Sequence, residues 1–133
     1  MTQSINEIVQ LQLYDLFDDT KFKLSELNQN KSLDINGPDS KLIKRGLDIS
    51  YLQGQKKAID AINTILKTYP DTQDFISYYN QYAKNYIQEF ESSKTQFQNM
   101  IHPQDEFELF LANHYQLLGQ KSIINTINTL VNN

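Results

Sequence analysis

The sequence predicts an all-α fold, an antiparallel four-helix bundle built from two helical hairpins. Apolar residues recur at steps of three and four along most of the 133 residues, which is the spacing of helices with one buried face. Pro, Gly and turn residues interrupt this pattern at three places. No segment shows the two-residue alternation of a β-strand. Four helices with mostly short connections are typical of a bundle.

The first two helices are separated by a loop rich in turn residues. The first is predicted over residues 5–27, where apolar residues form one stripe. Residues 28–39 contain Asn, Asp, Ser and a Gly-Pro pair, so this segment is predicted as a loop. Pro38 suits the first turn of the second helix, because a backbone N–H at that position has no hydrogen-bond acceptor within the helix. We expect that helix to end near Tyr69, because Pro70 disfavours helical geometry in the residue before it.

The third helix has the clearest start signal. Asp71 or Thr72 is the expected N-cap residue, since both side chains accept hydrogen bonds from free backbone N–H groups. Asp74 falls in the first turn, where the positive end of the helix stabilises a carboxylate. The helix is predicted to end near residues 100–101, just before His102 and Pro103.

The fourth helix is predicted to begin at Pro103 and to run close to residues 132–133. Three acidic residues, Asp105, Glu106 and Glu108, lie near its N-terminus. Helix-end electrostatics explain this acidic cluster without a metal ion.

An internal repeat relates the second and fourth helices. Residues 54–66 and 119–131 align at an offset of 65 with seven identities in thirteen positions, whereas chance gives about one. The same offset aligns Pro38 with Pro103. We therefore predict a tandem duplication within one domain, residues 1–133, with repeats of about 1–69 and 70–133. The alternative is convergence of two amphipathic helices, which explains the apolar spacing but not the shared Gly-Gln-Lys and Asn-Thr.

Gly54 and Gly119 occupy equivalent positions in the repeat, each on a stripe of small residues. Glycine inside a helix is unfavourable by ~1 kcal/mol relative to Ala, so its presence twice needs a structural reason. We predict that the backbones of the second and fourth helices approach each other, or a common neighbour, at these glycines. Ala is expected to fit there and Leu to force the helices apart.

A partner-binding surface is predicted from two features. The second and fourth helices carry a second apolar stripe, which either packs in the bundle or forms an oligomer interface. The third helix holds seven of the fifteen Tyr and Phe residues, which suit a core or a protein interface. The candidate residues for a protein partner and for a homodimer are Leu52, Ile59, Tyr78, Tyr82, Leu117 and Ile124.

No catalytic or metal-binding motif is found in the sequence. The chain has no Cys, which excludes disulfides, thiolate metal sites and a Cys nucleophile. His102 and His114 match neither the Glu-x-x-His nor the His-Glu-x-x-His spacing. The side of the helix that carries His114 is apolar, so His114 is interpreted as a structural histidine rather than a catalyst. We predict no catalytic residue, no metal and no cofactor.

Basic residues concentrate on the second helix, at Lys41, Lys44, Arg45, Lys56 and Lys57. They form either a solvated face or a contact with a nucleic-acid backbone. The net charge of −4 argues against nonspecific phosphate binding. A nucleic-acid-associated protein is therefore the alternative prediction, and nucleic acid is not the favoured partner.

The predicted function is a small non-catalytic protein-binding factor that acts through its helix faces. No apolar run approaches a membrane span and no signal peptide is recognised, so a cytoplasmic location is expected. The chain contains 27 Asn and Gln residues and a single Arg, a bias typical of an AT-rich genome. A phage or mobile-element inhibitor, immunity factor or regulator fits this profile.

Overall fold

The computed structural model describes residues 4–29, 39–100 and 106–132. These residues form four helices and no strand: α1 (Ile5–Gln29), α2 (Asp39–Thr68), α3 (Thr72–Gln98) and α4 (Phe107–Val131). The predicted all-α class is thus confirmed. The predictions made for Pro38, His102, Pro103 and Asp105 lie outside the described residues.

The starts of α3 and α4 differ in how closely they follow the prediction. Asp71 is the N-cap of α3, and its carboxylate accepts a hydrogen bond from the backbone N–H of Asp74 at 3.1 Å. In α4, by contrast, Glu106 has a left-handed backbone with φ of 63°. A residue in this conformation breaks the helical path, so the described helix α4 begins at Phe107, and the predicted start at Pro103 lies outside the described residues. Glu108 lies in the first turn.

Contacts at the two ends of the bundle fix the helix directions. At one end, the side-chain amide of Asn6 donates to the carbonyl of Pro70, and that of Asn132 donates to Asn80 Oδ1, both at 3.0 Å. At the other end, Arg45 donates from Nε and Nη2 to the carbonyl of Leu27 at 3.0 and 2.9 Å. Successive helices therefore run antiparallel, as predicted, and α2 runs parallel to α4.

The parallel pair α2 and α4 forms the most extensive helix–helix contact of the described chain. A Cβ atom added at Gly54 would lie 2.0 Å from the carbonyl oxygen of Gln116. One added at Gly119 would lie 1.9 Å from the carbonyl oxygen of Tyr51. Each glycine thus meets the residue three positions before the other glycine. The predicted close approach is confirmed, whereas the expectation that Ala fits is wrong, because these distances leave no room for a methyl group.

Helices α1 and α3 flank this central pair, and the buried positions of the two hairpins correspond. On α2 and α4, residues 65 apart are buried alike, as the following pairs show: Leu52 and Leu117, Ala58 and Ile123, Ile59 and Ile124, Ile62 and Ile127. On α1 and α3 the offset is 66, and the buried pairs are Val9 and Phe75, Leu13 and Tyr79, Thr20 and Tyr86. The two hairpins share one packing plan. Tandem duplication accounts for this match and stays a prediction.

Candidate functional site

Four of the six residues predicted for partner binding are not on the surface. Leu52, Ile59, Leu117 and Ile124 are buried within the single chain. The reason is the close approach at the glycines, which draws α2 and α4 together so that both apolar stripes contact neighbouring helices. These four side chains therefore do not form an exposed interface, contrary to the prediction.

The two tyrosines of the predicted surface lie in different environments. Tyr82 is half-buried, and its hydroxyl is buried without a hydrogen-bond partner among the described residues. Burial, with a smaller effect of Glu89, raises the pKa of Tyr82 to about 12. Tyr78 is 44% exposed and stacks on Tyr69 at 3.8 Å between ring centroids. Only Tyr78 of the six candidates is exposed.

The basic residues of α2 are largely engaged within the chain. Lys44 pairs with Asp48 at 2.6 Å, and Lys56 pairs with Asp60 at 2.9 Å. Arg45 donates to α1 as described above, while Lys41 and Lys57 are exposed. A patch in which acidic partners offset two of the cations gives no support to phosphate binding.

His114 packs in the seam between α3 and α4. Its Nδ1 lies 2.8 Å from the hydroxyl oxygen of Ser93, and its ring lies 5.6–6.1 Å from the rings of Phe90, Phe97 and Phe110. Burial lowers the pKa of His114. These contacts match the interpretation of His114 as a structural histidine.

Three neighbouring cavities lie along one side of the α1/α2 hairpin. Three cavities of about 310, 180 and 400 Å³ adjoin there, since the first two share Phe17 and the last two share Lys21 and Leu24. We call them together the α1/α2 channel. It is lined by Gln10, Leu13, Tyr14, Phe17, Thr20, Lys21, Leu24, Ser25 and Asn28 of α1 and by Ile49, Lys56, Ile59, Asp60, Asn63 and Lys67 of α2.

The lining residues follow the spacing that helix-to-helix packing requires. On α1, positions 10, 14, 17, 21, 24 and 28 alternate steps of four and three, and on α2 positions 56, 60, 63 and 67 do the same. Such rows form ridges that another helix can pack between. At ~1.5 Å per residue, the α1 row extends about 27 Å. The channel therefore has the length of a helix of about 18 residues.

The surface of the channel is apolar at its floor and mixed at its rims. Leu13 and Ile59 are buried in the floor, Phe17 and Leu24 are half-buried, and Tyr14 is 64% exposed at the rim. The charged residues that line it are three lysines, Lys21, Lys56 and Lys67, and one aspartate, Asp60.

The corresponding seam of the second hairpin contains a stack of aromatic rings. Phe90 and His114, which stack there at 5.9 Å, correspond by the two offsets to Leu24 and Ile49. Lys121 places its Nζ 4.8 Å from the centre of the Phe90 ring, and its counterpart Lys56 lines the channel beside Leu24.

Two tyrosines add hydrogen bonds to this seam. The hydroxyl of Tyr79 donates to the carbonyl of Ile124 or to Asn128 Oδ1, at 3.1 and 2.7 Å. The hydroxyl of Tyr86 donates to the carbonyl of Leu117. Burial raises the pKa of both phenols. Both are therefore neutral donors that tie α3 to α4.

On the opposite side of the first hairpin lies a more polar cavity of about 590 Å³. Its walls include Asp19, Lys23, Glu26 and Asp48, and Lys23 pairs with Asp19 at 3.0 Å. Three acidic side chains and one lysine thus line this cavity, whereas three lysines and one aspartate line the α1/α2 channel.

Sequence reasoning missed the channel because it treated the apolar stripe of α1 as a single buried face. The signal was present in the aromatic residues beside that stripe. Tyr14 extends the apolar sector of α1 past the residues that pack on α2, and Lys21 continues the same row between Phe17 and Leu24. Each seam is formed by side chains from two helices. The apolar pattern of one helix therefore does not show whether a seam is open.

In the described part of the chain, no group of three or more His, Asp or Glu residues is placed to hold a metal ion. None of the described helices is both long and apolar enough to cross a bilayer. In comparisons with known proteins, no family model, curated protein or solved structure matches this chain.

Proposed function

We propose that the protein is a small non-catalytic binding factor that accepts an amphipathic helix of a partner protein in the α1/α2 channel. The single observation that carries this proposal is a row of lining residues at heptad spacing, about 27 Å long, that places Tyr14, Phe17 and Leu24 along the open side of the hairpin. In the equivalent seam of the second hairpin, Phe90 and His114 stack on each other at 5.9 Å. An inhibitor, immunity or regulatory role in the cytoplasm is the kind of activity that such a protein would have.

The physical basis is burial of apolar surface that the hairpin leaves exposed. A partner helix with apolar residues every three to four positions would cover Tyr14, Phe17 and Leu24. Each Å² of apolar surface removed from water contributes about 25 cal/mol before the loss of translational freedom is subtracted. Aromatic residues such as Tyr14 and Phe17 are the side chains that most often dominate such contacts.

The test compares two aromatic residues of α1. Tyr14 and Phe22 are 64% and 62% exposed, but only Tyr14 lines the channel. The probe is a fluorescent 18-residue helical peptide with Leu at heptad a and d positions and Gln elsewhere. We expect Tyr14→Ala to weaken binding by about tenfold, equivalent to 1.4 kcal/mol, and Phe22→Ala to leave it unchanged, as read by fluorescence anisotropy.

Circular dichroism melts of both variants check that the fold is intact, which is expected because both side chains are exposed. Equal losses in the two variants, or no binding of the peptide to the native protein, would contradict the proposal.

The homodimer remains part of the proposal, but its surface must differ from the predicted one. Four of its six residues are buried in the monomer, so a second copy would have to contact exposed residues. Sedimentation velocity at micromolar concentration distinguishes the two states. If the Leu-heptad peptide dissociates a dimer, the dimer interface includes the α1/α2 channel.

A further inference from the structure

We infer that the α1/α2 channel selects a partner helix whose flanks are acidic. This inference rests on the proposed function and adds the charge of the partner to it. The observation behind it is the separation of charge around the first hairpin, in which cations line the channel although the whole chain has a net charge of −4.

The charges of the channel lie on both of its walls. Lys21 belongs to α1, while Lys56 and Lys67 belong to α2. Asp60 is the only acidic side chain among the residues that line the three cavities of the channel, and it pairs with Lys56 at 2.9 Å. Within the described residues, Lys21 and Lys67 form no ion pair. A helix in the channel would thus have a lysine on each side.

The carboxylates of α1 are not among the residues that line the channel. Asp19 and Glu26 line the cavity on the opposite side of the hairpin. Glu7, Asp15 and Asp18 are exposed and line none of the three cavities of the channel. Among the charged residues that line the channel, three are lysines and one is an aspartate, and carboxylates are the groups that complement lysines.

An apolar helix flanked by Glu satisfies both properties of the channel. Leu residues at the a and d positions would cover the apolar floor, and Glu residues at the e and g positions would reach Lys21 on one wall and Lys67 on the other. Charge complementarity at the rim of an interface mainly fixes which partner binds and raises the association rate. We therefore expect selection among helices of equal hydrophobicity.

The experiment compares three peptides with the same Leu heptads and with Glu, Gln or Lys at the e and g positions. Their affinities for the native protein are measured by fluorescence anisotropy at 0.05 and 0.5 M NaCl. We expect the Glu peptide to bind about tenfold more tightly than the Gln peptide at low salt, and the Lys peptide to bind most weakly. The differences should shrink at high salt, where the Debye length falls to a few Å.

Matched lysine variants locate the effect. The double variant Lys21→Gln, Lys67→Gln should remove the preference, so that the Glu and Gln peptides bind this variant equally. Lys23→Gln is the control, since Lys23 lies on the same helix but lines the opposite cavity. It should keep the full preference.

The outcomes separate this inference from the function on which it rests. If the three peptides bind equally, the channel accepts helices but the acidic preference is overturned. If none of them binds, both the proposed function and the inference are overturned. A preference for Glu that persists in the double variant would place the selecting charges outside the channel and contradict the inference.

Discussion

The two hairpins of this bundle bury equivalent positions but fill their outer seams differently. The α3/α4 seam contains Phe90 and His114, stacked at 5.9 Å. The α1/α2 seam has Leu24 and Ile49 in the corresponding places, and three adjoining cavities run along it. The comparison teaches that helix pairing and seam closure are separate properties. A shared pattern of small and apolar residues sets the first, and the packing of the side chains that face each seam sets the second.

The largest difference between the hairpins is expected for a pair of equivalent core residues. Tyr79 is fully buried and donates its hydroxyl to α4, whereas its counterpart Leu13 forms the floor of the channel. Tyr79→Ala should lower the free energy of unfolding by about 3–5 kcal/mol and Leu13→Ala by about 2 kcal/mol. Urea denaturation of both variants measures this. A greater loss for Leu13→Ala would show that the first hairpin carries more of the packing energy.

Substitution of the crossing glycines should affect both hairpins equally. Gly54→Ala and Gly119→Ala each place a methyl group about 2 Å from a carbonyl oxygen of the neighbouring helix, so each should lower stability by about 1–3 kcal/mol. Gly46→Ala is the control, because nothing lies within 4 Å of its Cβ position, and it should raise stability by about 0.5–1 kcal/mol. Thermal melts in which all three variants gain stability would rule out the close crossing.

Exchanging Leu24 and Phe90, the equivalent seam residues of the two hairpins, should change stability and peptide binding in opposite directions. Phe90→Leu removes ring contacts with His114 and should lower stability by about 1 kcal/mol. Leu24→Phe adds apolar surface to the channel and should raise stability by about 0.5 kcal/mol while it weakens peptide binding. Denaturation and anisotropy measure the two effects. A Leu24→Phe variant that binds peptide as well as the native protein would show that the channel is not the binding surface.

The smallest expected effect is a pH dependence that arises in the second hairpin alone. Burial lowers the pKa of His114 in the folded chain, so the unfolded chain binds this proton more readily. The stability contributed by neutral His114 is therefore complete above pH ~6.5 and is lost as the pH falls below that value. His114→Phe should remove this part of the pH dependence. Urea midpoints between pH 5 and 7.5 test it, and identical pH profiles for the variant and the native protein would contradict it.

The sequence predicted the helices and their crossing because both depend on local residue types. Apolar spacing defined α1 to α4, Asp71 marked the start of α3, and the paired glycines Gly54 and Gly119 located the contact. The start of α4 was not predicted, because the left-handed backbone of Glu106 has no signature in a non-glycine residue.

The binding surface could not be predicted from the same patterns. Leu52 and Tyr14 both look like exposed apolar residues at the edge of a stripe, yet one is buried and the other is 64% exposed. The difference depends on how closely α2 approaches α4 and on the size of residues that face each seam. These are properties of two helices together.

The most direct test of the account is an NMR titration of the ¹⁵N-labelled protein with the Glu-flanked Leu-heptad peptide. We expect the amide signals of channel residues such as Phe17, Leu24 and Ile49 to shift, and those of their counterparts Ala83, Phe90 and His114 to stay unchanged. Shifts confined to the α3/α4 seam, or no shifts at millimolar peptide, would contradict the claim that the first hairpin is open to a partner helix.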